Sequence, residues 1–247
     1  MHLLRLDRNL NGQDYVVGDI HGHFDEFDQL LQDVSFNPEV DRIISVGDYI
    51  DRGPHSARAL EYLEKPWFYS VKGNHEAMLA ASLNYEPGIY DVWMRNGGEW
   101  SEQVSEEVLQ QFADIYNELP YIIEVDTIHG PVGVVHADLP EAENWEKLLS
   151  KLEKGKLKDD QLQVMLWSRN SYRRLRMAML YPGSYDAQGI EGVHRVYIGH
   201  SIVGQPREFG SFFFIDTGAY ANGQLTMVNL ASEQVFAIDV ISFDPLT

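Results

Sequence analysis

Five short stretches place metal-binding and proton-transferring residue types just past apolar runs. They are "GDIHG" (18–22), "GDYIDRG" (47–53), "GNHE" (73–76), "VVHAD" (134–138) and "IGHS" (198–201). They supply Asp19 and His21, then Asp48, Asp51 and Arg52, then Asn74 and His75, and finally His136 and His200. Carboxylates and imidazoles without sulfur suit Mn²⁺, Fe or Zn²⁺ better than copper or thiophilic metals. Asp48 has two oxygens and can bridge two cations. Two such ions roughly 3.5–4 Å apart would activate a water and hold both ends of an in-line displacement. The glycine leading each of the first three sets leaves room for a tight turn and a close backbone approach. Taken alone, "GNHE" also fits a helix start, with Asn74 capping and Glu76 in the first turn. That reading does not explain three glycine-led sets in succession followed by two more histidines. By residue type, His75 could be a ligand, an acid or neither.

The elements that must carry these residues alternate. Strand-like "DYVVGD" (14–19), "RIISVGD" (42–48) and "WFYSVKG" (67–73) are interleaved with helical patterns at 24–34, 56–65 and 76–83. This order predicts a parallel sheet, whose ligands gather beyond the carboxyl ends of the strands. A helix is expected near 101–117, and a strand pair "YIIEVDT" and "PVGVVHAD" turning at His129–Gly130. A lysine-rich helical stretch (143–168) is followed by an irregular segment (169–192). Further strands are expected near 194–199, 211–215, 224–230 and 234–240. The fold class is α/β, a sandwich of mixed sheets.

With 247 residues the chain can bury one sizeable core, and a single domain over 1–247 is the expectation. The net charge of −19 repels nucleic acid and anionic membranes. The absence of cysteine excludes disulfides and thiolate zinc sites. The N-terminus "MHLLRLDRNL" is too broken by charge for a signal peptide, and no run reaches the roughly 18 apolar residues of a membrane span. A cytoplasmic protein is expected.

"GDIHG", "GDYIDRG" and "GNHE", in this order and spacing, resemble the signature of the PPP-type serine/threonine protein phosphatases. The compact length and the "HAD" and "GHS" endings resemble their bacterial and bacteriophage branch. The resemblance is specific over residues 18–76 and extends in weaker form to about residue 219. It implies a calcineurin-like metallophosphatase sandwich of two mixed β-sheets flanked by helices. It further implies two divalent ions, Mn²⁺ first with Fe or Zn as alternatives. Asp19, His21 and Asp48 would bind one ion; Asp48, Asn74, His136 and His200 would bind the other. Arg52 would grip phosphate oxygens, with Asn74 beside them and Arg169, in "LWSRN", as a second phosphate-binding arginine. His75 would be the general acid, with Asp51 holding its other ring nitrogen. The substrates implied are phosphoproteins or phosphopeptides bearing phosphoserine or phosphothreonine, with phosphotyrosine as an extension that broad relatives suggest. A sister family, the symmetrical dinucleoside tetraphosphate hydrolases, shares similar motifs but usually lacks the second aspartate of "GDYIDRG", here Asp51.

Two positions depart from the family pattern. Lys72 stands where arginine is common, which loses bidentate geometry, and Ser201 replaces the usual threonine. Among the rest, Arg173, Arg174 and Arg176 are expected on a solvated or acid-paired face. His23 is expected at the surface or as a cap, and His2, His55, His129 and His194 are expected to be structural. Asp216 and Asp138 are candidates to support the ligands, Asp138 by orienting His136. Trp93 and Trp100 are expected in the core, with a lid over the site as the other reading.

Overall fold

Short strands of three to six residues, most with an apolar centre, build the two sheets of this computed structural model, which describes residues 2–183, 185–187 and 189–240. Met1, Ser184, Gln188 and 241–247 of the expected 1–247 domain lie outside the described residues. Strands β2 (Asp14–Val17), β3 (Arg42–Ser45) and β4 (Phe68–Ser70) are parallel neighbours, with Val16 opposite Ile44 and Ile44 opposite Tyr69. β10 (Gln224–Asn229) pairs antiparallel with β2, and β11 (Val235–Asp239) antiparallel with β10. The second sheet runs in the order β1 (Leu3–Leu6), β5 (Ile122–Thr127), β6 (Gly130–Val135), β7 (Arg195–Ile198), β9 (Phe212–Phe214), β8 (Arg207–Phe209). It too mixes parallel and antiparallel pairs.

Continuous apolar strands can be buried on both faces, as the central strands β2, β3, β6 and β7 largely are, while the edge strands β8 and β11 are exposed on at least one face. Val16, Ile44, Val46 and Val71 meet Val125, Val134, Tyr197 and Ile215 between the sheets. On the outer face of the first sheet lie α1 (Phe24–Asp33), α2 (Ala59–Leu63), α3 (Asn74–Leu83), α4 (Ile89–Met94) and α5 (Glu106–Glu118). Phe24, Tyr62, Met78, Trp93 and Phe112 from these helices pack with Tyr15, Val17 and Ile43. The second sheet is covered by α6 (Trp145–Glu153), α7 (Asp159–Trp167) and α8 (Asn170–Leu180), through Trp145, Leu149, Met165 and Leu175. Each fully buried aliphatic or aromatic side chain contributes about 1.5–3 kcal/mol, so these three layers hold the strand ends rigidly. The result is the expected α/β sandwich of two mixed sheets flanked by helices.

Four features differ from the sequence reading. The stretch 143–168 is two helices, parted at Gly155, whose φ of +59° is left-handed. The segment 169–192, expected to be irregular, opens with the three-turn helix α8. Strands β1 and β8 and helix α4 were not legible. The helix near 101–117 is a 3₁₀ turn over Gly98–Gln103 followed by α5. No helix among the described residues is long and apolar enough to cross a membrane.

Candidate active site

The carboxyl ends of β2, β3, β4, β6 and β7 release Asp19, Asp48, Asn74, His136 and His200 at one edge of the sandwich. The turns there are strained. Nine described non-glycine residues have positive φ, and five are His21, Asp48, Asp51, Arg52 and His200. Each costs about 1–2 kcal/mol, so the surrounding packing has to impose them. One agent of that imposition is Glu76, fully buried in the first turn of α3. Its Oε2 accepts the Asp48 N–H at 3.0 Å, and its Oε1 accepts the N–H groups of Tyr49 at 3.0 Å and Ile50 at 3.3 Å. Burial, then repulsion from Asp48, pushes the Glu76 carboxyl well up from its usual range, against those donors. Gly73 is required at this junction, because a Cβ would strike Glu76 and Asp48. Gly199 is required likewise, since its Cβ would collide with the Asp19 carboxylate.

The hydrogen bonds of the histidines fix which nitrogen faces the cavity. His21 Nδ1–H donates to the Ile50 carbonyl and His136 Nδ1–H to the Val46 carbonyl, both at 2.8 Å, so each presents Nε2. His200 Nε2–H donates to the Trp167 carbonyl at 3.3 Å, which leaves Nδ1. Desolvation, reinforced by His75, pulls His21 well below its ordinary pKa, and burial beside His136 and Arg169 pulls His200 down to about 3. Both therefore offer neutral lone pairs at pH 7. Asp48 is central: its Oδ2 lies 3.4 Å from His136 Nε2, 3.8 Å from His21 Nε2 and 3.9 Å from His75 Nε2. Burial opposes its ionisation, but the surrounding His136, His75 and His21 prevail and hold it well below the usual carboxylate range.

This donor set fits cations. Two groups have the spacing to hold an ion, His21–Asp48–His75 and Asp48–His136–His200, and they share Asp48. Asn74 Oδ1 sits 2.8 Å from His136 Nε2, so two lone-pair atoms face each other where a cation would separate them. Asp19 and Asp216 line the same cavity. Burial and the neighbouring carboxylates push Asp19 well up, and burial with Asp48 nearby raises Asp216 to about 6, a repulsion that bound cations would relieve. By distance His75 belongs to the first group and Asp19 does not; both oxygens of Asp19 instead accept the His200 N–H.

His75 has a second tie. Its Nδ1–H donates to Asp51 Oδ2 at 2.7 Å. Asp51 also accepts the indole N–H of Trp93 (2.9 Å to Oδ2) and of Trp100 (2.7 Å to Oδ1). Burial raises the Asp51 pKa, while His75, Trp100 and Trp93 all favour its carboxylate. Trp93 is thus a core residue, as expected, and Trp100 a partly buried one packed against the same core; both anchor Asp51. His75 Nε2 faces the cavity 3.3 Å from Arg52 Nη2. Arg52 lies 3.9 Å above the ring of Tyr220 and donates to the carbonyl and the amide oxygen of Asn96. Arg169 also lines the cavity and donates to the His200 carbonyl at 2.6 Å and to Ser201 Oγ at 3.0 Å. The cavity measures about 160 Å³.

Asp138 does not orient His136, whose Nδ1–H is taken by Val46. Instead Asp138 accepts Ser171 Oγ–H at 2.7 Å, Ser171 N–H at 2.8 Å and Ser168 Oγ–H at 3.2 Å, fixing the loop that carries Arg169. Lys72 points away from the cavity. It donates to the carbonyls of Tyr116 and Asn117 at the end of α5 and lies 4.1 Å over the Tyr116 ring. His23 occupies the N-cap position of α1 without a cap bond and lies 3.7 Å from Glu26. His2 packs on Tyr121, His55 faces Asp25, and His129 stacks on His194, which pairs with Glu233; none lines the cavity. Glu76, Asn96, Trp167 and Tyr220 were missed in these roles. Only the turn signal of Asn96-Gly97-Gly98 could have marked one of them.

The calcineurin-like phosphoesterase family matches residues 15–204. Serine/threonine-protein phosphatase 2 of Salmonella typhimurium is 32% identical over 236 residues, 93% of this chain and all of that protein. A symmetrical bis(5'-nucleosyl)-tetraphosphatase of Haemophilus ducreyi is 42% identical, but over 71 residues, 28% of this chain and 26% of that protein. Among solved structures, a candidate diadenosine tetraphosphatase aligns with a TM-score of 0.65 at 20% identity, covering 98% of this chain and 99% of that one, a likeness of fold. The chain belongs to the calcineurin-like phosphoesterases, metal-dependent hydrolases, and is related over nearly its whole length to bacterial serine/threonine-protein phosphatases.

Proposed function

We propose that this protein is a single catalytic domain that hydrolyses phosphomonoesters on proteins, at phosphoserine and phosphothreonine and also at phosphotyrosine. Asp19, His21 and Asp48 would hold one divalent ion and Asp48, Asn74, His136 and His200 a second, with Mn²⁺ the first candidate. Bound there, the ions supply an activated water and neutralise phosphate charge. Arg52 and Arg169, which both line the cavity, would orient the phosphate, Arg52 steadied by Asn96 and Tyr220. Asn74 completes the floor as a neutral oxygen, which limits negative charge where a phosphate must enter. His75 donates the proton from Nε2 to the departing alkoxide, while Asp51 holds Nδ1–H and stabilises the imidazolium.

The observation that carries this reading is the His75–Asp51 pair, set beside the ligands and fixed by two indole donors. A serine leaving group needs that proton. The cavity of about 160 Å³ is also smaller than the roughly 300–1,000 Å³ of a small-molecule site, which suits a phosphate on a surface segment. The second reading is symmetrical dinucleoside tetraphosphate hydrolysis, favoured by the 42% identity over 71 residues to such an enzyme. The test is His75→Asn. It is expected to retain its metal content and to lose roughly 10²–10⁴-fold in kcat on phosphoserine peptides, with a smaller loss on nitrophenyl phosphate. Loss of metal would make His75 a ligand and overturn the assignment.

A further inference from the structure

Helix α8 begins at the cavity, with Arg169 at its N-cap. Arg173 and Arg176 follow one and two turns later. At 3.6 residues per turn the three arginines lie within about 60° of one another around the axis. Arg174 lies off this line and donates to the Asp186 carbonyl. Arg173 and Arg176 are exposed, and neither meets a carboxylate among the described residues. Arg173 touches Asn170 Oδ1 at 3.3 Å and Arg176 lies 6.0 Å from the Tyr172 ring. Arg5, Arg8, Arg42, Arg58 and Arg195 pair with acids, while Arg95 and Arg207 meet none among the described residues; what sets Arg173 and Arg176 apart is their alignment with Arg169 on the helix that begins at the cavity. In a chain of net charge −19, arginines left free of acids in a row beside a phosphate cavity are not explained by neutralisation within the chain.

We infer that this arginine row is a docking track for acidic residues flanking the phosphorylated residue of the substrate. The inference rests on the phosphoprotein reading above and adds a substrate class to it. A helix rises 1.5 Å per residue, so Arg173 and Arg176 stand about 6 Å and about 10.5 Å beyond Arg169. An extended peptide advances about 3.3 Å per residue, which sets them opposite residues about two and three positions from the phosphoserine. Each exposed pair adds a factor of roughly two to five, and salt screens it.

The test compares phosphoserine peptides with glutamate, alanine or lysine at the second and third positions, on the N-terminal side in one set and the C-terminal side in the other. On one side, the glutamate peptide is expected to show a KM roughly three- to tenfold below the alanine peptide, a gap that closes near 1 M salt. The variant Arg173→Glu/Arg176→Glu should reverse the order of glutamate and lysine peptides without changing kcat or the hydrolysis of nitrophenyl phosphate. Equal KM values for all peptides, with hydrolysis intact, would overturn the track and leave the phosphatase reading standing. If the variant weakened diadenosine tetraphosphate cleavage and left the peptides unaffected, the row would serve a polyphosphate and the inference would fall. Failure of the wild type to cleave any of these peptides would overturn the phosphoprotein reading and the track with it.

Discussion

Asp51 receives three hydrogen bonds on one carboxylate, from His75, Trp93 and Trp100, and so points the His75 ring at the cavity. Its neighbour in the motifs, Lys72, does a different job. A buried ammonium is expensive unless its protons find acceptors, and Lys72 finds two carbonyls at the end of α5, where the helix dipole also favours a cation. Lysine is therefore no weakened substitute for a phosphate-binding arginine; it clamps α5 to the end of β4. Desolvation brings its pKa down from the ordinary 10.5 to about 8. Between those values the unfolded chain keeps a proton that the folded chain has released, so this group's penalty is full below pH 8 and is relieved as pH rises. Lys72→Met should keep kcat/KM within about twofold of wild type. In urea titrations at pH 7.5 and pH 10, wild type should gain stability relative to the variant at the higher pH. A large fall in activity would return Lys72 to the phosphate site.

At the scale of elements, α3 both presents Asn74 and His75 and holds the β3 turn through Glu76. Glu76→Gln keeps the shape but offers one acceptor oxygen, so one of the three N–H groups loses its partner. The loss should be about 1–3 kcal/mol of stability, read from urea midpoints. Because Asp48 moves with that turn, Mn²⁺ affinity should fall roughly 10–100-fold. Unchanged metal affinity would mean that the turn holds without Glu76. The first three βα units were legible because each strand has an apolar or aromatic stretch (Tyr15–Val17, Ile43–Ile44, Phe68–Tyr69) followed by glycine and polar residues. Glu76 lay in plain view, yet its partners are 26 to 28 residues away in sequence, and only the sandwich brings them together. Helix α8 was misread for a related reason. Only Leu175 of its residues is buried, so it has almost no apolar period, and its start is fixed from outside by Asp138. Strand β1 is four residues with an arginine inside, and its pairing with β5 could not be inferred locally. The indole donors to Asp51 were unreadable too, since a tryptophan N–H shows its partner only when the core is assembled.

Across the whole molecule, two sheets packed face to face set five strand ends on one edge, and a chain of net charge −19 gathers arginines there and along α8. The fields are opposed: the body repels anions, while Arg52, Arg169 and bound cations would attract a phosphate locally. Under the proposed function, the cavity takes a phosphate presented on a polypeptide rather than a dinucleotide. The most direct measurement is Mn²⁺-dependent phosphate release from phosphoserine, phosphothreonine and phosphotyrosine peptides, run beside cleavage of diadenosine tetraphosphate by the same preparation. Peptide hydrolysis is expected with kcat/KM at least about tenfold above that for the dinucleotide, abolished by chelation and restored by Mn²⁺. A clear preference for the dinucleotide would contradict it.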